Sequence, residues 1–235
     1  MTFLTPGELD AIGLSLRVAA WSVAASLPLA VAAAWLLARR EFPGKTLFDA
    51  LVHLPLVLPP VVVGYFLLLG FGRQGPLGSL LESCCGLVFA FRWTGAALAC
   101  AVMGFPLMVR AVRLSLEAVD PGLESAARTL GAGPLAVFFS VTLPLAAPGL
   151  VTGALLSFAR SLGEFGATIT FVSNIPGETR TLPIAIYTYT QVPGGDAQAL
   201  RLSLVAVALS IAALFLSEVL ARRARERARG ADAAR

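Results

Sequence analysis

The chain has 235 residues, of which 57% are hydrophobic and only 14% are charged, and its mean hydropathy is +0.80. Soluble domains carry about 25% charged residues, so this composition excludes an ordinary soluble domain and indicates a polytopic helical membrane protein. The net charge of +4 does not indicate nucleic-acid binding, because six of the eighteen basic residues lie in one C-terminal tail.

Apolar runs long enough to cross a hydrocarbon core of about 30 Å define candidate membrane spans. The first run differs from a secretory signal, because no positive charge precedes it and it far exceeds the length of a signal's apolar region. The apolar stretch 165–172 is too short to cross, and we expect it to extend a helix or to re-enter the membrane. Five spans are the simplest prediction, at about 11–37, 50–71, 93–109, 139–159 and 200–220.

The distribution of basic residues predicts how these spans are oriented. With the N-terminus outside, twelve of the eighteen basic residues fall in inner segments, in agreement with the positive-inside rule. This topology places the C-terminus in the cytoplasm. The basic tail 222–235 is then expected to anchor the last span at anionic lipid.

Proline interrupts most of the predicted spans, for example at Pro28, Pro55, Pro106 and Pro144. Each proline removes a backbone donor, and such breaks persist in lipid only where neighbouring groups satisfy the freed carbonyls. Two interpretations remain open: a bundle that lines a path, or kinks of ordinary bundle architecture.

The sequence contains no familiar catalytic or metal-binding motif. His53 is the only histidine, and neither HExxH nor GxSxG occurs. The segment Gly44-Lys45-Thr46 ends like a phosphate-binding loop, but Arg39 stands where that loop needs its first glycine. The three cysteines also lack ligand spacing. We predict no catalytic residue, no metal site and no cofactor bound by this chain, with an intramembrane enzyme or a membrane scaffold as minor alternatives.

The inner segment at about 118–138 has the pattern of a short helix standing on the membrane surface. Asp120, followed by a proline, predicts its N-cap, and Gly131 marks its end. Ala126 and Ala127 are small enough to let another protein surface approach closely. An ordinary loop helix is the alternative interpretation.

This segment resembles the EAA loop of ABC importer permeases, in which EAA is followed by a spaced Gly, Ile and Leu-Pro. Ser125 takes the place of the motif's glutamate, and Glu124 lies beside it. Because a one-residue shift rotates a side chain by about 100° on a helix, Glu124 need not make that glutamate's contacts. The resemblance assigns the ATPase-coupling loop to Glu124, Ser125, Ala126, Ala127, Leu130, Gly131, Val141, Leu143 and Pro144.

Four further runs are similar to the molybdate branch of these permeases, at 54–65, 72–78, 158–168 and 174–183. Sulfate and thiosulfate permeases share the architecture and remain the alternative. The resemblance implies an all-α fold, a type I ABC importer permease-like bundle of about five transmembrane helices with a cytoplasmic coupling helix. It also implies a location in the cell inner membrane.

The resemblance implies partners as well. A homodimer of this chain would stand on two cytoplasmic ABC ATPase subunits, which hold ATP and Mg, and a periplasmic molybdate-binding protein would deliver molybdate or tungstate. This chain would perform no bond chemistry and bind no nucleic acid.

Charged and hydroxyl side chains near the outer end of the fourth span are candidates for a gate or pathway. Arg160 and Glu164 lie one helical turn apart, so they can form an intrahelical ion pair or engage another helix. Desolvating a tetrahedral dianion is costly. We therefore expect the charge of Arg160 and hydroxyls such as those of Thr168 and Thr170 to ease its passage.

Overall fold

The computed structural model describes the backbone of residues 4–233 and the side chains up to residue 223, except those of 217 and 221. Within this range the secondary structure is helical throughout and no strand occurs, which confirms the all-α fold. The helices are α1 (Pro6–Arg39), α2 (Lys45–Val57), α3 (Pro60–Phe71), α4 (Pro76–Cys85), α5 (Trp93–Glu117), α6 (Pro121–Thr129), α7 (Pro134–Val137), a π-helical turn (Phe138–Thr142), α8 (Leu143–Leu145), α9 (Ala147–Leu162), α10 (Gly166–Val172), α11 (Leu182–Thr190) and α12 (Asp196–Ala233).

Three of these elements are long and apolar enough to cross a membrane, namely α1, α5 and the Asp196–Leu220 part of α12. Two bent pairs also qualify: α2 with α3 at 114°, and Pro134–Leu145 with α9 at 67°. If each bent pair is one span, the total is five, and each overlaps one of the predicted ranges. The predicted basic tail begins in the last turns of α12, and its side chains beyond Arg223 lie outside the described residues.

Consecutive prolines explain the sharp break inside the predicted span 50–71. Pro59 and Pro60 lack amide donors, and a residue before proline avoids the α-helical region. Leu58 accordingly ends α2 in an extended conformation, and Pro60 occupies the first turn of α3. The chain therefore forms two helices here instead of one.

Helix α5 is the centre of the bundle, because α1 and α9 both pack along it. Glycines allow the close approach of α9: a Cβ added at Gly149 would lie 2.2 Å from Ser115 Cβ, and one at Gly153 would lie 3.0 Å from a backbone oxygen of α5. Small residues at such positions let helices approach closely in a membrane. Because α5 leads directly into α6, this packing also fixes where α6 stands.

The apolar stretch 165–172 forms α10, which packs against α3 and is separated from α9 by a short break. Phe171 and Val172 are fully buried there, and a Cβ added at Gly64 of α3 would lie 2.5 Å from a backbone oxygen of α10. At the same end of the bundle, the fully buried Glu8 accepts a 2.6 Å bond from Arg201, which joins α1 to α12.

Candidate functional site: the loop between α5 and α9

Helix α6 is defined at both ends by local chemistry. Asp120 Oδ1 accepts the amide hydrogen of Gly122 at 2.7 Å, which satisfies one of the free donors at the helix start. After Thr129 the chain turns at Gly131, whose φ of +90° is a conformation that glycine adopts without a Cβ clash. The result is a nine-residue helix with a fixed start and a fixed end.

Glu124 anchors α6 to the rest of the bundle. Its side chain is buried, and Oε1 accepts hydrogen bonds from Arg39 Nη2 at 3.0 Å and from Thr142 Oγ1 at 2.8 Å. Arg128 Nη2 approaches Oε2 at 3.4 Å, and Arg39 Nη2 also donates to the Val119 carbonyl at 3.3 Å. One carboxylate therefore joins the end of α1, the helix α6 and the π-helical turn.

The opposite face of α6 is open. Ser125 and Ala126 are exposed, Ala127 is half-buried, and the Ser125 hydroxyl donates only to the Pro121 carbonyl of its own helix at 3.0 Å. Leu130 is 89% exposed, a large apolar side chain with no cover at the tip of the loop. Glu124 and Ser125 thus differ in environment: the first is buried against α1, and the second faces outward.

The second half of the loop enters the bundle through irregular helix. The π-helical turn Phe138–Thr142 directs Thr142 inward to Glu124, whereas Val141 and Leu143 are half-buried and Pro144 is exposed. Pro144 and the bend that follows α8 at Ala146 separate this part from α9. Such π-helical insertions are local departures from α-helix that recur at functional sites.

The candidate gate residues lie together at the far end of α9. Arg160 Nη1 is 2.7 Å from Glu164 Oε2, so the two form the ion pair that their spacing allows. The Glu164 side chain is 1% exposed, and its Oε1 also accepts the Ala167 amide at 2.9 Å, whereas Arg160 is 30% exposed. The hydroxyls of the buried Thr168 and the half-buried Thr170 donate to backbone carbonyls of their own segment, at 2.9 Å and 2.8 Å.

Sequence reasoning missed two members of this site, Arg39 and Thr142. Both bond to Glu124, and they lie 85 and 18 positions from it along the chain. The available signal was the pair Arg39-Arg40 at the end of a long apolar run, on the same predicted side of the membrane as the loop that carries Glu124. No spacing rule connects those positions, since their proximity results from the packing of α1 on α5.

The structure is an all-helical bundle with candidate membrane spans and with a capped, partly exposed helix at one end. The sequence model of the family described as "Binding-protein-dependent transport system inner membrane component" matches residues 26–226, so the chain belongs to this family of inner-membrane permeases. The solved structure of a bacterial alginate ABC transporter in complex with its alginate pentasaccharide-bound periplasmic protein has the same fold. Its TM-score is 0.74 at 16% identity, over 94% of this chain and 80% of that one.

Individual relatives show which branch of the family the chain resembles most. The molybdenum transport system permease protein ModB of Escherichia coli (strain K12) is 60% identical over 225 residues, covering 96% of this chain and 98% of that protein. The sulfate transport system permease protein CysW of Synechococcus elongatus is 40% identical over 177 residues, covering 75% of this chain and 62% of that protein. The predicted resemblance to ABC importer permeases, and within them to the molybdate branch, is confirmed.

Proposed function

We propose that the chain is the transmembrane permease of an ABC importer that carries molybdate, or the closely similar tungstate, into the cell. The 60% identity to a molybdenum permease over nearly the whole chain supports this proposal, and the weaker likeness to the sulfate permease makes sulfate the lesser candidate. The permease acts as a homodimer with the N-terminus outside, and a periplasmic binding protein supplies the oxyanion.

The partners on the inner side are two ATPase subunits, which bind ATP and Mg. The open face of α6, with Ser125, Ala126 and the exposed Leu130, is the surface that docks on them. When ATP closes the ATPase pair, α6 moves. Glu124 passes that motion to α1 through Arg39 and to the π-helical turn through Thr142. The spans then switch between inward-facing and outward-facing arrangements.

The substrate is a tetrahedral dianion, and stripping its water is expensive unless donors or positive charge replace it. Arg160 supplies that charge at the outer end of α9, but Glu164 neutralises it in this conformation. We assign the pair a gate role, in which Arg160 exchanges the carboxylate for the passing oxyanion. Thr168 and Thr170 become available as donors only when the segment that follows α9 moves.

The test is uptake and ATP hydrolysis in proteoliposomes that hold this chain, its ATPase and its binding protein, with molybdate, tungstate and sulfate compared. We expect molybdate and tungstate to stimulate ATP hydrolysis and to be taken up, and sulfate to have only a weak effect. A preference for sulfate would refute the proposed substrate, and no stimulation by any of the three oxyanions would refute oxyanion import.

Docking is tested separately with Ala126→Trp, which enlarges the open face of α6. This variant should release the ATPase. The matched control is Thr46→Trp, an exposed position at the same end of the bundle but outside the coupling loop. Equal ATPase retention in both variants would show that α6 is not the docking surface.

A further inference from the structure

A long apolar groove runs between the second half of α1 and the segment that joins α6 to α9. Its volume is about 580 Å³, within the roughly 300–1,000 Å³ of small-ligand sites. Its walls include Leu27, Val31 and Trp35 on one side and Leu135, Phe138 and Phe139 on the other, and Arg40 is the one charged residue among the described residues that line it. This groove is separate from both the α6 docking face and the Arg160 region.

The groove is long enough to span the hydrocarbon of one lipid leaflet. Leu27 and Arg40 are thirteen positions apart, and at a rise of 1.5 Å per residue that separation is about 20 Å along α1. Half of a hydrocarbon core about 30 Å thick is about 15 Å. A single acyl chain therefore fits along the helix, with its polar end beside Arg40.

Arg40 is a fixed positive charge at the end of this groove. Its side chain is exposed, and no carboxylate within the described part of the chain forms an ion pair with it, whereas its neighbour Arg39 is held by Glu124. The Arg40 guanidinium lies 5.4 Å from the centre of the Trp35 ring. Tryptophan and arginine at one depth are the side chains that anchor helices at the headgroup level.

We propose that this groove is a binding site for an anionic phospholipid, with one acyl chain along α1 and the headgroup phosphate against Arg40. The charge complementarity favours an anionic lipid over a zwitterionic one, because the lining that the structure describes offers a cation and no carboxylate. Leu135 and Phe139 are 75% and 62% exposed in the protein, and the acyl chain of the proposed lipid would cover both. The proposed topology, with the N-terminus outside, places this groove in the inner leaflet. The proposal of a lipid-binding site does not depend on that topology.

The test uses Trp35 as a contact reporter in the full-length chain. Trp21 and Trp93 lie together in the other half of the bundle, and changing both to Phe leaves Trp35 as the single tryptophan. The protein is placed in vesicles of equal parts phosphatidylcholine and phosphatidylglycerol, with bromine on the acyl chains of one lipid or the other. Brominated lipid quenches the fluorescence of a tryptophan that it touches.

We expect brominated phosphatidylglycerol to quench Trp35 with a roughly fivefold higher apparent affinity, the preference that one basic residue gives at an anionic surface. Arg40→Gln should remove this preference. The control Arg73→Gln, an exposed arginine at the other end of the bundle, should keep it. Ala32→Phe fills the groove and should reduce quenching by both lipids, whereas Ala208→Phe on the exposed side of α12 should not.

Two results would overturn the proposal. Equal quenching by the two brominated lipids would identify the contact as ordinary boundary lipid. Absence of quenching by either would show that protein, such as a second copy of the chain, closes the groove. Neither result bears on oxyanion transport, so the lipid site and the proposed function fail independently.

Discussion

The substitution Glu124→Ala tests whether the buried carboxylate anchors α6. It removes the shared partner of Arg39 and Thr142 and leaves a guanidinium that is only 18% exposed without its counter-ion. Breaking a buried ion pair from one side costs about 3–5 kcal/mol. Because both side chains keep some exposure, we take the lower end, about 3 kcal/mol, which corresponds to a roughly hundredfold shift of α6 from anchored to released.

The released state should be visible in two measurements. Amide hydrogen exchange across 121–130 should accelerate by up to the same roughly hundredfold factor, since these amides exchange through the local opening. In proteoliposomes, molybdate uptake should fall while ATP hydrolysis continues, because the ATPases no longer move α1. Glu124→Gln keeps an oxygen that can accept from Thr142 and should give an intermediate loss.

The control is Glu41→Ala, which removes an 87% exposed carboxylate paired with Lys45 at the same end of the bundle. Exposed pairs contribute about 0–1 kcal/mol, so exchange and uptake should match the unsubstituted chain. If Glu124→Ala and Glu41→Ala exchange alike across α6, the reasoning from burial is wrong. If amide exchange across α6 rises in Glu124→Ala but molybdate uptake stays coupled to ATP hydrolysis, the anchor exists but does not transmit motion.

Two further predictions concern helix packing and the gate. Gly149→Ala should lower the stability of the bundle by about 1–3 kcal/mol in denaturant unfolding, because the new Cβ overlaps Ser115. The control Gly13→Ala adds a Cβ that meets nothing within 4 Å and should not lower the stability. Equal stability of the two variants would refute the close contact of α5 and α9. Arg160→Gln should destabilise the fold by stranding Glu164, whereas the double change of both residues to Gln should recover folding but not molybdate uptake. Wild-type uptake by that double variant would exclude the gate role.

Much of the helical layout is predictable from local rules, and the contacts that give it a function are not. Asp120 and Gly131 bound α6 through capping and turn chemistry, which depends on a few neighbouring residues. Pro59 likewise explains why a break occurs after α2, but the 114° angle depends on how α3 packs against α10. The bond from Arg39 to Glu124 depends on packing between distant segments, so no sequence pattern reports it.

The coupling-loop motif did not show whether Glu124 takes over the role of the glutamate that Ser125 replaces. The structure separates two roles that a charged residue in this loop can have. Glu124 is buried and holds α6 to α1 and to the π-helical turn, whereas Ser125 is exposed and uncharged and bonds only within its own helix.

Two adjacent arginines divide the end of α1 between two environments. Arg39 turns inward to Glu124, and Arg40 turns outward to Trp35 and the apolar groove. Both therefore act on the segment between α6 and α9, the first through Thr142 and the second through the groove wall at Phe138 and Phe139. If α6 moves as proposed, the segment that joins it to α9 moves between the Arg39–Glu124 anchor on one side and the proposed lipid on the other.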